Sequence, residues 1–204
     1  MKRIIAIFDF DKTLTDKDTI ILLWEYAIKN KKVSKFIFYR SIIQGSLNYL
    51  AGFKIKHFKS SICRVFRYLS EEDLEDFVNY VYESHMLEDG LEYLENIEAD
   101  YFMLVSASPI NYLKYFKSFL KFDVIIGTEL DESFNIKGEN NRSTEKVERI
   151  LNHLSSKGIE IDYDNSSAFS DSYNHDRPMM ELVKNRYLIN SNKSVEGYKN
   201  LYWK

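Results

Sequence analysis

The chain has 204 residues, of which 45% are hydrophobic and 29% are charged, and its net charge at pH 7 is −3. This composition excludes a disordered chain and argues against a dedicated nucleic-acid surface. The single cysteine, Cys63, cannot form an internal disulfide, which fits a reducing compartment, and we interpret it as a small buried residue.

The first predicted element is a buried parallel strand in the apolar run from Arg3 to Phe8. Asp9 and Asp11 follow it, and their side chains would share one face of the strand, with Phe10 on the other. Two neighbouring acids repel each other unless a cation or a proton stands between them. At the carboxyl end of a strand, such a pair indicates a site for a metal and a phosphate.

Residues 16–96 are predicted to be entirely helical. The stretch from Ile20 to Ile28 is too long for a typical strand, and later segments repeat at spacings of three or four. The repeating residues are Phe36, Arg40, Ile43, Leu47 and Leu50, then Phe58, Ile62, Val65 and Leu69, then Leu74, Phe77, Val78 and Val81. Ser70, followed by three acids, is typical of a helix start. We interpret the many Tyr and Phe of this region as its core.

Strands and helices alternate again from Tyr101. The predicted elements are a strand over 101–106, a helix over 109–120 capped by Ser108, a strand over 123–127, an irregular or hairpin excursion over 128–138, a helix from Ser143 or Thr144 to about Leu154, strands over 167–170 and 186–189, and a C-terminal helix with Val195 and Tyr198. Right-handed crossovers favour a doubly wound parallel α/β sheet. We therefore expect a Rossmann-like core, residues 1–15 and 97–204, with an inserted all-helical cap, residues 16–96.

Three polar clusters resemble the first motifs of the haloacid dehalogenase superfamily, in the same order along the chain. The segment 9–13, Asp-Phe-Asp-Lys-Thr, resembles motif I. Ser106, which closes the second strand, resembles motif II, and Lys146 resembles motif III. Because Lys146 lies in the predicted first turn of a helix, its charge opposes the helix dipole, and a nearby anion would relieve that conflict.

A fourth cluster, over residues 168–178, resembles motif IV through Asp171 and Asp176. The family allows three or four residues between the two acids of this motif. Here four residues separate them, and His175 stands where the shorter version has its acid. Asp176 is our choice for the second acid, with His175 as the alternative.

The resemblance implies a covalent mechanism. Asp9 would attack phosphorus to form an aspartyl phosphate, and Asp11 would act first as acid and then as base. Ser106 and Lys146 would bind and polarise the phosphate, and Thr13 would fix the loop at the substrate site. These groups suit phosphoryl transfer, which depends mostly on positioning and electrostatic stabilisation.

The same resemblance implies a Mg²⁺ site. Its residues would be Asp9, Asp11 through its backbone carbonyl, Asp171 and Asp176, the last orienting a metal-bound water or Lys146. The ion is needed because a phosphate monoester carries about two negative charges near neutral pH. Mg²⁺ prefers the oxygen ligands that these residues offer.

The helical insertion resembles the small cap of the phosphoserine-phosphatase-like branch, subfamily IB. In that branch the position of Asp18 is an acid that contacts the substrate amine, although Asp18 fits equally well as a helix-start acid. Four lysines lie between positions 29 and 35. We interpret them as a solvated helix junction or, alternatively, as a group that attracts an acidic substrate.

We therefore expect a cytoplasmic, Mg²⁺-dependent phosphomonoesterase that acts on a small phosphorylated metabolite, phosphoserine or another amine-bearing phosphate being the candidates. The alternatives are a phosphotransferase that uses the same intermediate and a non-catalytic phosphate-binding protein. No nucleic-acid partner is expected, because the net charge is negative. No membrane partner is expected, because the N-terminus leaves no room for a signal peptide and charged residues interrupt each long apolar stretch. The oligomeric state stays open.

Overall fold

The apolar run after Arg3 forms a central strand in the computed structural model, which describes residues 1–50 and 55–204. The strands are β1 (Lys2–Arg3), β2 (Ile5–Phe8), β3 (Tyr101–Pro109), β4 (Val124–Thr128), β5 (Glu160–Ile161), β6 (Ser167–Ser170), β7 (Asn185–Ile189) and β8 (Lys199–Leu201). Six of them form one parallel sheet in the order β4-β3-β2-β6-β7-β8, and β1 pairs with β5. The predicted α/β class is confirmed.

Among the described residues, five α-helices lie between β2 and β3, in the region predicted to be helical. The helices of the chain are α1 (Thr19–Lys29), α2 (Lys35–Leu50), α3 (Ile55–Cys63), α4 (Glu71–Ser84), α5 (Glu88–Asn96), α6 (Ile110–Leu113), α7 (Thr144–Ser156) and α8 (Tyr173–Met180), with 3-10 helices at Arg64–Tyr68 and Lys114–Ser118. Thr15, after β2, and Met86, just before α5, form an antiparallel bridge, so the two ends of the segment that holds α1 to α4 lie side by side. None of the helices described is long and apolar enough to cross a bilayer.

Both faces of the sheet are covered. Ile5 and Ile7 belong to one buried cluster, and Ala6 and Phe8 belong to another on the opposite face. The Phe8 ring stacks on Phe169 at a centroid distance of 4.3 Å. Because side chains alternate across β2 and all four are buried, the strand has to be apolar throughout.

The predicted C-terminal helix is wrong. Val195 and Tyr198 form a single turn, in which the Tyr198 amide donates to the Val195 carbonyl at 3.1 Å, and Gly197 has a φ of +79°. The chain then enters β8, which extends the sheet beside β7. The side chain of Asn190 holds this end in place through two hydrogen bonds with the backbone of Trp203. A spacing of three residues suits a turn as well as a helix, and sheet pairing decided between them.

The segment after Ser106 also differs from its prediction. The strand continues to Pro109, and the following helix has only four α-helical residues before it becomes 3-10. Ser108 therefore does not cap a helix, and its hydroxyl donates instead to Asp11. Gly127 permits this path, because a Cβ there would lie 2.8 Å from the Ser108 carbonyl oxygen. The elements β1, β5 and α8 were not predicted.

The interpretation of the aromatic and aliphatic residues as cap core is wrong for α2. Its buried residues are Ser41 and Gly45. These small residues let the helix approach α3 closely, and a Cβ at Gly45 would lie 2.8 Å from the Phe58 ring. The large side chains on the other face, which were expected to be buried, are exposed: Phe36, Tyr39, Ile43, Leu47, Tyr49 and Leu50.

The predicted start of α4 is confirmed. The Ser70 hydroxyl accepts from the Asp73 amide at 3.2 Å, and the Asp73 carboxylate accepts from the Ser70 amide at 2.9 Å. Each group satisfies a backbone donor that the first helical turn leaves without a partner.

We expect Ser70→Ala to lower the free energy of unfolding by about 1 kcal/mol, because it removes the acceptor for the Asp73 amide. Urea unfolding followed by circular dichroism measures this. Ser194→Ala is the matched control, since the exposed Ser194 hydroxyl makes no hydrogen bond to the described residues. Equal stability of the two variants would contradict the capping role.

Candidate active site

The carboxyl ends of three neighbouring strands bring three of the four polar clusters together. β2 lies between β3 and β6, so the loops that follow these strands share one edge of the sheet. Asp9 follows β2, Ser106 lies within β3, and Asp171 follows β6. This is the edge at which open α/β sheets bind ligands.

Lys146 is the centre of the site. Its Nζ lies 2.7 Å from Asp9 Oδ1 and 2.9 Å from Asp176 Oδ1, and all three residues are buried. Burial raises the pKa of Asp9 above its usual range, against the opposing effect of the Lys146 charge. Burial alone would lower the pKa of Lys146, but the charges of Asp9 and Asp176 outweigh it and raise that pKa. The two acids explain why a lysine is stable in this interior position.

Two hydroxyl groups hold the acids in place. Thr13 Oγ1 donates to Asp9 Oδ2 at 3.2 Å and accepts from the Asp171 amide at 2.9 Å, so it ties two loops together. Ser170 Oγ donates to Asp176 Oδ2 at 2.7 Å. The sequence analysis missed Ser170, because a serine at the end of a short strand carries no distinctive signal.

The Asp11 carboxylate faces the cap and not the Asp9–Lys146 pair. It accepts hydrogen bonds from the Thr19 amide at 2.6 Å, the Thr19 hydroxyl at 2.5 Å and the Ser108 hydroxyl at 2.5 Å. The Ser106 hydroxyl is 3.4 Å from the same carboxylate. Thr19 and Ser108 were also missed, since their role depends on where the first cap helix begins and how far β3 extends.

Asp18 forms an ion pair with Lys12 at the rim of the site. Its side chain makes no capping hydrogen bond to α1, although it occupies the N-cap position. The hydrogen bond from Lys12 to Asp18 raises the pKa of Lys12. The carboxylate is therefore near the nucleophile, but its charge is already compensated.

The structure distinguishes the two candidates for the second acid of the fourth cluster. Asp176 is buried against Lys146. His175 is exposed, and its side chain forms a hydrogen bond with Arg142. The pKa of His175 is lowered, first by the loss of solvent around its ring and then by the charge of Arg142. The geometry favours Asp176, although the two are adjacent in the sequence.

A cavity of about 500 Å³ lies between the cap and this edge of the sheet. Asp9, Asp11 and Asp171 line its acidic side. Lys59 from α3 and Arg142 from the loop before α7 also line it. Burial, and then the charge of Arg142, lower the pKa of Lys59. The sequence analysis singled out neither cation.

Cys63 lines the same cavity and is buried. Burial raises the pKa of its thiol to about 12, so it is not a nucleophile near neutral pH. This agrees with its interpretation as a small buried residue.

The acids fit a divalent cation. The Asp171 carboxylate makes no hydrogen bond or ion pair with the described residues, and its burial, followed by the charge of Asp176, raises its pKa to about 6. Across residues 1–50 and 55–204, no three acidic, histidine or cysteine side chains form a ready-made ligand cluster. The implied ligand set needs no such cluster, because it combines two carboxylates, of Asp9 and Asp171, with the backbone carbonyl of Asp11. These hard oxygen donors suit Mg²⁺.

The family model for haloacid dehalogenase-like hydrolases matches residues 6–181. The chain belongs to this family. A comparison with curated proteins found no match. All four polar clusters described from the sequence lie within the matched residues.

Solved structures share the fold of this hydrolase. A protein of unknown function from Bordetella pertussis Tohama I has a TM-score of 0.80 and 18% identity, over 98% of this chain and 99% of that one. A phospho-aspartyl intermediate analogue of phosphoserine phosphatase has a TM-score of 0.58 and 20% identity, over 93% and 87%. A substrate-bound phosphoserine phosphatase has a TM-score of 0.59 and 18% identity, over the same shares. These likenesses support the Rossmann-like core with its helical cap.

We expect Lys146→Met to destabilise the hydrolase by about 3–5 kcal/mol, because it leaves two buried acids without a cation. The double variant Lys146→Met/Asp176→Asn should lose less stability than the two single variants lose together, since it removes one of those acids. Urea unfolding of all four proteins in chelator completes the double-mutant cycle. Additive losses would contradict a coupled buried network.

Proposed function

We propose that this hydrolase is a Mg²⁺-dependent phosphomonoesterase that works through an aspartyl phosphate on Asp9. One observation carries the proposal. Asp9 is a buried carboxylate held between Lys146 and Thr13, in a cavity that also contains Asp11. A nucleophile and a second acid in one water-restricted cavity are what two-step phosphate transfer requires.

In the first step, an Asp9 oxygen bonds to phosphorus as the bond to the leaving oxygen breaks, and Asp11 gives that oxygen its proton. In the second step, Asp11 takes a proton from water, whose oxygen attacks phosphorus and frees Asp9. Asp11 is suited to both steps, because the hydroxyls of Thr19 and Ser108 can each donate or accept as its protonation changes. Microscopic reversibility requires this change of role.

Lys146 and Ser106 bind the transferred phosphoryl group in this proposal. The buried ammonium of Lys146 orients Asp9 and offsets negative charge, and Asp176 holds that ammonium in place. Asp9, Asp171 and the Asp11 carbonyl would hold Mg²⁺. When bound, the ion neutralises charge that would otherwise repel the nucleophile.

We expect Asp9→Asn to lower phosphate release from an aryl phosphate by more than about a hundredfold, because an amide is a poor nucleophile. The matched control is Asp16→Asn, since Asp16 is exposed and bonded to His85 outside the cavity. Colorimetric phosphate release with Mg²⁺, and with chelator in its place, measures both variants.

Substantial release by Asp9→Asn would contradict the nucleophile. Full activity in chelator would contradict the metal. Release of the alcohol with phosphate appearing on an added acceptor would indicate the alternative phosphotransferase. Tight phosphate binding with no turnover would indicate a non-catalytic binder.

The charges around the cavity favour a substrate with further ionic groups. Lys59 and Arg142 suit a second negative group, and Asp18 suits an ammonium that competes with Lys12. A phosphorylated amino acid such as phosphoserine carries both a carboxylate and an ammonium. It therefore remains our proposed substrate class, together with simpler amine-bearing phosphates.

We expect Lys59→Met to raise KM about tenfold for phosphates that carry a carboxylate, and Asp18→Ala to do so for phosphates that carry an amine. Phosphoglycolate, phosphoethanolamine, phosphoserine and an aryl phosphate separate the two effects. The control is Lys56→Met, because Lys56 lies on the same helix but contacts Gly138 and Glu139. Equal effects on all four substrates would show that neither residue selects the substrate.

A further inference from the structure

One segment of the cap is rich in basic residues in an otherwise acidic chain. Residues 26–70 contain ten Lys or Arg and no Asp or Glu, although the whole chain has a net charge of −3. This segment includes α2, α3 and the loop that precedes α2. Lys32 and Lys56 pair with acids of the same chain, and Lys59 lines the cavity. The exposed cations nearest α2 are Lys29, Lys31, Lys35 and Arg40. Charge of one sign gathered on one part of a surface favours a partner of the opposite sign.

The same segment carries an exposed apolar face. Five large side chains repeat at spacings of three or four along α2, which places them on one side of the helix. We call them the α2 stripe: Phe36 (73% exposed), Tyr39 (59%), Ile43 (59%), Leu47 (57%) and Leu50 (80%). At 1.5 Å per residue the stripe is about 21 Å long. A contiguous apolar surface of this kind marks an interaction site.

The chain does not use the α2 stripe for its own core. The opposite face of the helix packs inward, where Phe38 contacts Trp24 at a ring distance of 5.1 Å and Gly45 contacts Phe58. α2 is thus apolar on both sides, unlike an ordinary surface helix, which is polar on the outside.

We propose that the α2 stripe docks on the surface of an anionic phospholipid membrane. Arg40 lies within the stripe and Lys35 stands at its start, both exposed, so cations border the apolar side chains. Lys29, the last residue of α1, and Lys31, in the turn that follows it, are exposed as well. Helices that lie in the membrane interface combine an apolar face with flanking basic residues, and each cation near an anionic leaflet strengthens binding.

Charge argues against a second copy of this chain as the occupant. A twofold contact would place the same patch of each copy against the other. Two acid-free basic segments would then face each other and repel, whereas an anionic lipid surface attracts both the charge and the apolar side chains. The proposal departs from the expectation that the chain has no membrane partner, and it does not depend on the proposed enzymatic function.

Vesicle flotation tests the proposal with the intact protein. We expect binding to vesicles of phosphatidylcholine mixed with phosphatidylglycerol, little binding to phosphatidylcholine alone, and release at about 0.5 M salt, where charges are screened within a few ångströms. Ile43→Ser/Leu47→Ser should lower partitioning about tenfold or more, because it removes apolar area from the stripe. Arg40→Glu should weaken binding to the anionic vesicles as well.

Leu151→Ser is the matched control. Leu151 is also a partly exposed helical leucine (45%), but it lies on α7, outside the cap. It should bind vesicles like the original protein. Circular dichroism confirms that each variant is folded, and hydrolysis of a soluble aryl phosphate should be unchanged in the stripe variants. Binding that is equal on both vesicle types, or insensitive to Ile43→Ser/Leu47→Ser, would overturn the proposal. The proposal would also be overturned if the protein is a dimer in solution and binds no vesicles, and if Ile43→Ser/Leu47→Ser converts that dimer to a monomer.

Discussion

The buried ion cluster of Lys146 with Asp9 and Asp176 is the constraint on which the site depends. A lysine in this position is tolerable only because two carboxylates lie within hydrogen-bond distance. The three residues come from the loop after β2, from α7 and from α8, so the cluster also joins distant parts of the chain. A site built on such a cluster is rigid before any ligand arrives, which favours catalysis by fixed charges.

The order of the sheet strands explains how this cluster meets the rest of the site. β2 is central and entirely buried. Its neighbour β3 carries Ser106, and its other neighbour β6 is followed by Asp171. Thr13 then ties the loops after β2 and β6 to each other through Asp9 and Asp171. A change of one strand position would separate these groups by about 5 Å, because that is the spacing between neighbouring strands.

The cap contributes a different kind of constraint. Asp11 belongs to the core, yet its carboxylate is held by Thr19 at the start of the first cap helix and by Ser108 at the end of β3. The position of the proposed acid and base is therefore coupled to the position of the cap. Motion of the cap would alter the hydrogen bonds of Asp11 directly, which is one way a lid can complete a catalytic site.

The sequence by itself determined the fold class, the helical insertion and the positions of the acids after β2 and β6. Those features depend on local periodicity and on the order of elements, which a single chain displays. Only the tertiary structure showed that Asp176, and not His175, lies against Lys146, revealed Ser170 and Thr19, and replaced the predicted C-terminal helix with β8.

The exposure of α2 shows why some features follow from the sequence while others depend on the tertiary structure. Its apolar residues have helical spacing, and the spacing predicted a helix correctly. Spacing defines a face but not what covers it. Ser41 and Gly45 allowed the opposite face to pack against α3, and that choice left the larger side chains on the outside. Burial is a property of what the rest of the chain places nearby, so it emerges only when the elements pack.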